Sequence, residues 1–538
     1  MFLARSLVPQ TPMRLLCLAA LIRALFDASA ALGADPQTVD PAKMPRVATV
    51  DERYLSYNVE MAELTGGLFW KPYDEIAAMK AQGGAGASAP PGSAEFYDQA
   101  KRPLKPVDLS NERLRALAAA LGPVYVRSSG NVADAVYFHD ADTPPPQKAP
   151  QGFESVLTRD QWKGLIDFAK AVDAKIVTSF AISTGVRDAQ GRWTPREAKK
   201  LIDYTKSVGG EIAAADFANE PTLAPQGIGD APKGYDAQAF ARDFAVFRPF
   251  AKKAAPEMLI LGPSSTGEGP VRLLAGPYMS TDSIFQAKPA PQFDAFSYHS
   301  YPASSLRCKA PGKLNTTLDQ ALSEEWLERS DLTYSYYASL RDRYERGKPM
   351  WLTETAQSSC GGDPWSSSFL DTFRFLDLLG RLATHGVRTV MHNTLAQGDY
   401  ALIDAETMKP RPNYWAALLW RRLMGTTVLD AGVPRLHGLH LYAQCRRGTP
   451  GAVTLLAVNN SQNETTSLVL PAAGQRYTLS AKRLEDHDVQ LNGQPLELQA
   501  NGELQALAGE KVAAGRVDLA PLTLTFLTVA ANNAACTG

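Results

Sequence analysis

Residues 211–222, EIAAADFANEPT, together with residues 348–358, KPMWLTETAQS, decide how this chain is read. Each is a short apolar, strand-like run that stops at an acid, Glu220 in the first and Glu354 in the second. A parallel (β/α) barrel gathers the carboxyl ends of its strands at one mouth, so two such endings far apart in sequence can face one bond. Retaining hydrolysis of a glycosidic bond needs one acid to protonate the leaving oxygen and one carboxylate to attack the anomeric carbon, about 5 Å apart. The pair therefore predicts Glu220 as acid/base and Glu354 as nucleophile. Singly, Glu220 reads equally well as a capping or surface acid, and Glu354 as a helix-start acid.

Outward from these runs, residues from about 53 to 420 alternate strand-like with helix-like patterns. Strands are expected at 54–60, 124–129, 175–181, 211–217, 258–262, 293–299, 350–354 and 387–393, the eight that close a barrel. An open doubly wound sheet shares this alternation. Thr158 to Gln161 and Thr194 to Glu197 read as helix capping boxes, the second with Pro195 at the first helical position and Gly209 as its stop. Leu165, Phe168, Ala169 and Val172 recur at the spacing of one buried helix face. After Gly425, alternating runs at 453–460, 465–471 and 522–530 predict a β-sandwich.

The expected architecture is an α/β (β/α)8 TIM barrel over 46–424 with a C-terminal β-sandwich over 425–538, which a strand near 46–53 is free to join. Residues 1–34 carry a basic end, an apolar stretch and small residues at Ala28 to Ala30, the pattern of a cleaved signal peptide; Arg23 inside the stretch keeps an amphipathic helix open. The Gly, Ala, Ser and Pro content of 81–94 and 143–152 predicts surface loops.

Beyond residue 34 the cysteines are Cys308, Cys360, Cys445 and Cys536, with no CxxC pair, so disulfides are favoured over a zinc site. Pairing Cys445 with Cys536 would tie the last segment's start to its end, and Cys308 with Cys360 would join two loops beside the site. Crossed pairings and free thiols stay open. A net charge of −1 gives no overall basic field for nucleic acid or an anionic membrane. No later run is apolar and long enough to span a bilayer.

Around the acids, Asn219 precedes Glu220, where an amide can hold the sugar 2-OH. His299 and Tyr301 close the sixth expected strand, placing a hydroxyl near the nucleophile and an imidazole near substrate or acid. A structural, hydrogen-bonded histidine is the plainer reading of His299 alone. Gly361 and Gly362 can present backbone N–H groups to a uronic acid carboxylate, with the Tyr400 hydroxyl nearby, or form an ordinary turn.

From residue 54 to 536, and most densely at 348–362 and 386–429, the chain resembles the heparanase-like members of glycoside hydrolase family 79. The resemblance implies a clan A barrel with acid/base Glu220 and nucleophile Glu354, cleaving β-linked glucuronic acid with retention, and a Cys445–Cys536 disulfide. It also implies sugar contacts for Asn131, where relatives usually hold a hydroxyl residue, and for Glu60 at the end of strand one. Unlike the eukaryotic proenzyme, the chain has no long excised linker and no basic clusters flanking the cleft, so proteolytic maturation is not expected. Lys71, Lys101, Arg102, Lys105, Arg187 and Arg192 are candidates for the cleft or for solvated surface.

The resulting expectation is an exported, secreted or periplasmic, monomeric bacterial endo-β-glucuronidase needing no metal or organic cofactor. Its partner is a glucuronic-acid-containing polysaccharide or oligosaccharide such as heparan sulfate, with no nucleic acid and no membrane span. Release of terminal glucuronic acid by an exo-acting enzyme is the alternative. The rivals are a barrel that binds carbohydrate without cleaving it, and a glycosidase for another sugar. Asn315, Asn459 and Asn463 begin glycosylation sequons.

Overall fold

A computed structural model describes residues 35–81, 100–274, 276–308 and 314–537. The expected signal peptide at 1–34 and nearly all of the expected loop at 81–94 lie outside the described residues. Eight parallel strands close into a barrel: Leu55–Asn58, Val124–Ser128, Ala174–Ser179, Ile212–Asp216, Leu259–Ser265, Ala295–Ser300, Met350–Thr355 and Thr389–His392. Each overlaps an expected strand. The fifth runs three residues past its expected end at Gly262, because Pro263 pairs with Ser297 and, across a one-residue shift of register, Ser265 pairs with Tyr298.

Strand alternation sends every second side chain inward. Tyr125, Val177, Ala214, Leu261, Ala295, Trp351 and Met391 fill the lower barrel as one apolar cluster. Two residues further along these strands the inward positions turn polar: Arg127, Ser179, Asp216, Ser297, Thr353 and Asn393, all buried. The barrel is thus a plug of packed side chains below and a hydrogen-bonding floor above. Asp216 anchors that floor, accepting from the hydroxyls of Ser264 and Ser297 and lying 3.6 Å from Arg127 Nε.

The helix Arg159–Ala171 begins with the expected capping box of Thr158 and Gln161 and buries Leu165, Phe168 and Ala169. The second box does not form. Helix Arg196–Ser207 has Pro195, not Thr194, at its N-cap, since the Thr194 hydroxyl donates 2.8 Å away to the Val186 carbonyl.

Two sheets, antiparallel except where Gln37–Thr38 runs parallel to Thr466–Leu470, form the sandwich. A small sheet of Gln37–Thr38, Thr466–Leu470 and Gly515–Leu519 faces a larger one centred on His440–Arg446, Ala452–Asn459 and Thr523–Ala530. Leu441, Ala443, Leu455, Leu468 and Val517 pack between the sheets. The alternate residues Tyr442, Leu456 and Val458 join the core of the barrel. The N-terminal segment takes part, since Arg46–Thr49 pairs with Met424–Leu429 and the Asn533 amide donates to the carbonyls of Pro41 and Met44 at 2.7 and 2.9 Å.

A buried charged cluster rivets sandwich to barrel. His440 lies 2.6 Å from Asp377 and 2.8 Å from Glu324, and Arg381 reaches Asp377 at 2.6 Å. Burial pulls the His440 imidazole down, but Asp377 and Glu324 outweigh it and push it up to about 9. Cys308 is bonded to Cys360 and Cys445 to Cys536, which fits an oxidising compartment. Among the described residues no helix is long and apolar enough to cross a membrane.

Candidate active site

Strand four ends at Asp216, and the chain then turns sharply through Asn219 and Glu220. Glu220 sits at φ 41°, ψ 56°, the left-handed region that a residue with a side chain rarely adopts. Two neighbours hold this turn: Pro221 opens the following 3-10 segment, and the Asn219 N–H donates to the buried carboxylate of Asp134 at 2.7 Å. Glu354 lies within strand seven, across the mouth. One carboxylate oxygen of each acid and a ring nitrogen of His299 lie within 4.8 Å of one another.

Glu354 accepts on both oxygens, from Arg127 Nη1 at 3.0 Å and from the Tyr301 hydroxyl at 2.6 Å. Two hydrogen bonds, one of them charge-assisted, fix its orientation. Arg127 also donates through Nη2 to Asn219 Oδ1 at 2.9 Å and stands 3.3 Å from His299 Nε2. A guanidinium cannot accept, so Nε2 carries the lone pair and Nδ1 the proton. Nδ1 then donates to Glu220 Oε1, 2.9 Å away. Burial pulls the His299 imidazole down to about 4, in keeping with this neutral tautomer.

Burial pushes the Glu220 carboxyl up to about 7, against the opposing pull of Thr266 and Arg127. Both acids are nearly buried and differ in their donors, Glu354 meeting a guanidinium and a phenol and Glu220 a neutral imidazole. Glu220, His299 and Glu354 have the spacing of metal ligands, but Arg127 already brings a positive charge to Glu354.

A third acid, Glu60, is buried on the first strand's side and accepts from Asn393 Nδ2 at 2.8 Å. Burial and the nearby charge of Glu354 push its carboxyl well up. Asn393 also donates to the Tyr301 hydroxyl at 3.1 Å, and Asn58 donates to Asn393. Gly130 makes room for Glu60: at φ 86°, a Cβ there would stand 1.7 Å from Glu60 Oε2.

These groups open on a cleft of about 210 Å³ lined by Glu60, Asn131, Asn219, Glu220, Tyr301, Glu354 and Tyr400. Asn131 accepts from Asn219 Nδ2 at 2.9 Å. His299 lies behind the lining, fully buried. Gly361 and Gly362, at φ 80° and 82°, stand outside the lining. Gly361 backs onto Trp70, and the Gly362 carbonyl accepts from Tyr73 and Arg307. The lining stops at Cys360, whose disulfide partner Cys308 also faces the cleft.

Arg127, Asn393, Asp134 and Trp70 were not singled out from the sequence. Of the basic residues considered there, Lys101 lines the cleft, its ammonium 4.8 Å from the centre of the Trp70 ring. Arg102, Arg187 and Arg192 instead pair with Glu75, Asp243 and Asp188.

Barrel, sandwich and facing carboxylates define a glycoside hydrolase, and comparison with known proteins carries this further. The family description "Glycosyl hydrolase family 79, N-terminal domain" matches residues 99–380. Heparanase-like protein 1 of Arabidopsis thaliana is 25% identical over 393 residues, covering 70% of this chain and 69% of that one. Heparanase of Mus musculus is 26% identical over 530 residues, covering 83% and 94%. Among solved structures, a 4-O-α-L-rhamnosyl-β-D-glucuronidase from Fusarium oxysporum 12S superposes with a TM-score of 0.57 at 14% identity, over 91% of this chain and all of that one. The chain belongs to glycosyl hydrolase family 79.

Proposed function

We propose that the chain hydrolyses β-linked glucuronic acid with retention of configuration, Glu354 attacking and Glu220 protonating the leaving oxygen. The observation that carries this is the approach of the two carboxylates to within 4.8 Å, a separation that suits double displacement and leaves no room for an inverting water. In the first step Glu354 bonds to the anomeric carbon as the glycosidic bond breaks and the Glu220 proton passes to the departing oxygen. In the second, Glu220 takes a proton from water, which attacks the same carbon and frees Glu354. Asn219, held by Arg127 and Asn131, is aimed at the sugar 2-OH. Tyr301 and Asn393 keep Glu354 and Glu60 apart. The uronic carboxylate is assigned to the wall of Tyr400 and Lys101, with Gly361 and Gly362 behind it.

The name of the mouse relative favours internal cleavage of heparan sulfate or a related glycan. A specific observation favours terminal release: Leu273, from the loop after strand five, packs in one apolar cluster with Phe69 and Tyr400 of the opposite wall. Sizing the products from a glucuronic acid polymer separates the two, large fragments meaning internal cleavage and monosaccharide alone terminal release. The catalytic assignment is tested with Glu354→Gln on an aryl β-glucuronide; a variant as fast as wild type would refute it. One chain supplies both acids, so a monomer suffices, and the disulfides suit a protein exported from a bacterium.

A further inference from the structure

The loop that carries Glu220 meets one buried acid of a neighbouring loop at both of its ends. Asp134 belongs to the 3-10 turn Asn131–Ala135 after strand two and stands behind the cleft lining, 2% exposed. At the near end its carboxyl accepts from the Asn219 N–H at 2.7 Å, one residue ahead of Glu220. The chain then runs through the 3-10 segment Pro221–Gln226 and returns at Gly229, where a Cβ would stand 2.5 Å from Asp134 Cβ, at a φ of 69° that suits glycine. The main-chain carbonyl of Asp134 accepts from the N–H groups of Ile182 and Ser183 at 2.9 and 3.1 Å, so the loops after strands two, three and four meet at this residue. Asn131, in the same turn, accepts from the Asn219 side chain at 2.9 Å.

We propose that Asp134 is a positioning residue for proton donation: by holding the Asn219 N–H it keeps Glu220 in its left-handed turn, with the carboxyl toward the glycosidic oxygen. The inference rests on the assignment of Glu220 as acid/base. A side-chain-bearing residue at φ 41° is strained and persists only where its surroundings hold it. With the tie to Asp134 cut, the turn relaxes and the Glu220 carboxyl leaves its place 2.9 Å from His299 Nδ1. Glu354 is held separately, by Arg127 and Tyr301, so attack on the anomeric carbon does not depend on Asp134. The loss therefore falls on protonation of the leaving oxygen. Burial pushes the Asp134 carboxyl up, with Glu220 and Glu154 adding to it and the Asn219 N–H and Arg127 opposing. An amide, neutral and with the same acceptor oxygen, is its closest substitute.

The test compares kcat/KM, which reports the first bond cleavage, for ethyl and 2,4-dinitrophenyl β-D-glucuronides. Ethanol needs a proton to depart, and dinitrophenolate does not. Asp134→Ala is expected to lower kcat/KM about 10²-fold on the ethyl compound and by no more than about threefold on the dinitrophenyl one. Asp134→Asn keeps the acceptor and is expected to stay within about threefold of wild type on both. Gly229→Ala leaves the carboxyl in the chain but presses a methyl on Asp134 Cβ. It is expected to repeat the selective loss, and carries the test should Asp134→Ala not fold. An equal loss on the two substrates, or Asp134→Asn as slow as Asp134→Ala on the ethyl compound, overturns this inference while leaving the glucuronidase reading intact. Glu220→Gln as fast as wild type on the ethyl compound overturns both.

Discussion

The guanidinium of Arg127 bonds to the carboxylate of Glu354 at 3.0 Å with both groups buried, and the same guanidinium reaches Asn219, the neighbour of Glu220. One strand-two side chain thus sets the relative position of two acids that lie 134 residues apart in sequence. It offsets the burial of Glu354 and, through Asp216, of the polar floor beneath the cleft.

Removing it strands those carboxylates. Arg127→Met is expected to destabilise the protein by about 3–5 kcal/mol and to lower kcat by about 10²–10³-fold. Arg127→Lys retains the charge but cannot bridge Glu354 and Asn219 together, so it recovers stability before activity. Thermal unfolding beside kinetics checks this, and wild-type kcat in either variant would reduce Arg127 to a packing role.

Activity should fall on the alkaline side as Glu220 loses its proton. With its carboxyl up at about 7, the acid is protonated below that pH, and kcat/KM on an alkyl glucuronide drops roughly tenfold per pH unit above it. Glu220→Gln abolishes the alkaline limb, and activity on a leaving group that departs without a proton suffers least. A pH profile for wild type that stays flat from 6 to 9 would contradict the assignment.

The rivet between barrel and sandwich gives stability its own pH dependence. His440 titrates at about 9 in the fold against 6.5 ordinarily, so its contribution is complete below about 6.5 and is lost as pH rises through about 9. Asp377, Glu324, Arg381 and Tyr442 surround the imidazole, and His437 lies on Glu324. His440→Gln is expected to cost about 3 kcal/mol at pH 6 and markedly less at pH 9.5, read by chemical denaturation.

The two disulfides should separate in effect. Cys445–Cys536 closes 91 residues around the sandwich, and its removal costs about 2–5 kcal/mol. Cys308–Cys360 lines the cleft, so a Cys308→Ser/Cys360→Ser variant raises KM out of proportion to its loss of melting temperature.

Gly130→Ala should mimic a binding lesion without touching Glu220 or Glu354. The added methyl meets Glu60 Oε2 in a backbone region suited to glycine, and KM rises while Glu354 stays in place.

The barrel was legible because buried parallel strands are short apolar runs, and the two acids because each ended such a run. Arg127 was not, since a charged residue in Val124–Ser128 looks like an interruption of the strand rather than its content. Its signal lay in the alternation, because Tyr125 points into the barrel and Arg127 must follow two residues on. Lys101 reaches the cleft through the pairing of Leu68–Trp70 with Lys101–Pro103, strands separated by a stretch whose composition announces no element. Thr194 carried the letters of a cap, but a tertiary carbonyl took its hydroxyl.

The pairing of Arg46–Thr49 with Met424–Leu429 has a consequence for biosynthesis. A ribosome delivers the first of these strands before any of the barrel and its partner only after all of it. The early strand must wait, its edge bare, until the chain is almost finished. A polypeptide truncated before Met424 keeps that edge on display, so chaperones and proteases can tell an unfinished enzyme from a finished one.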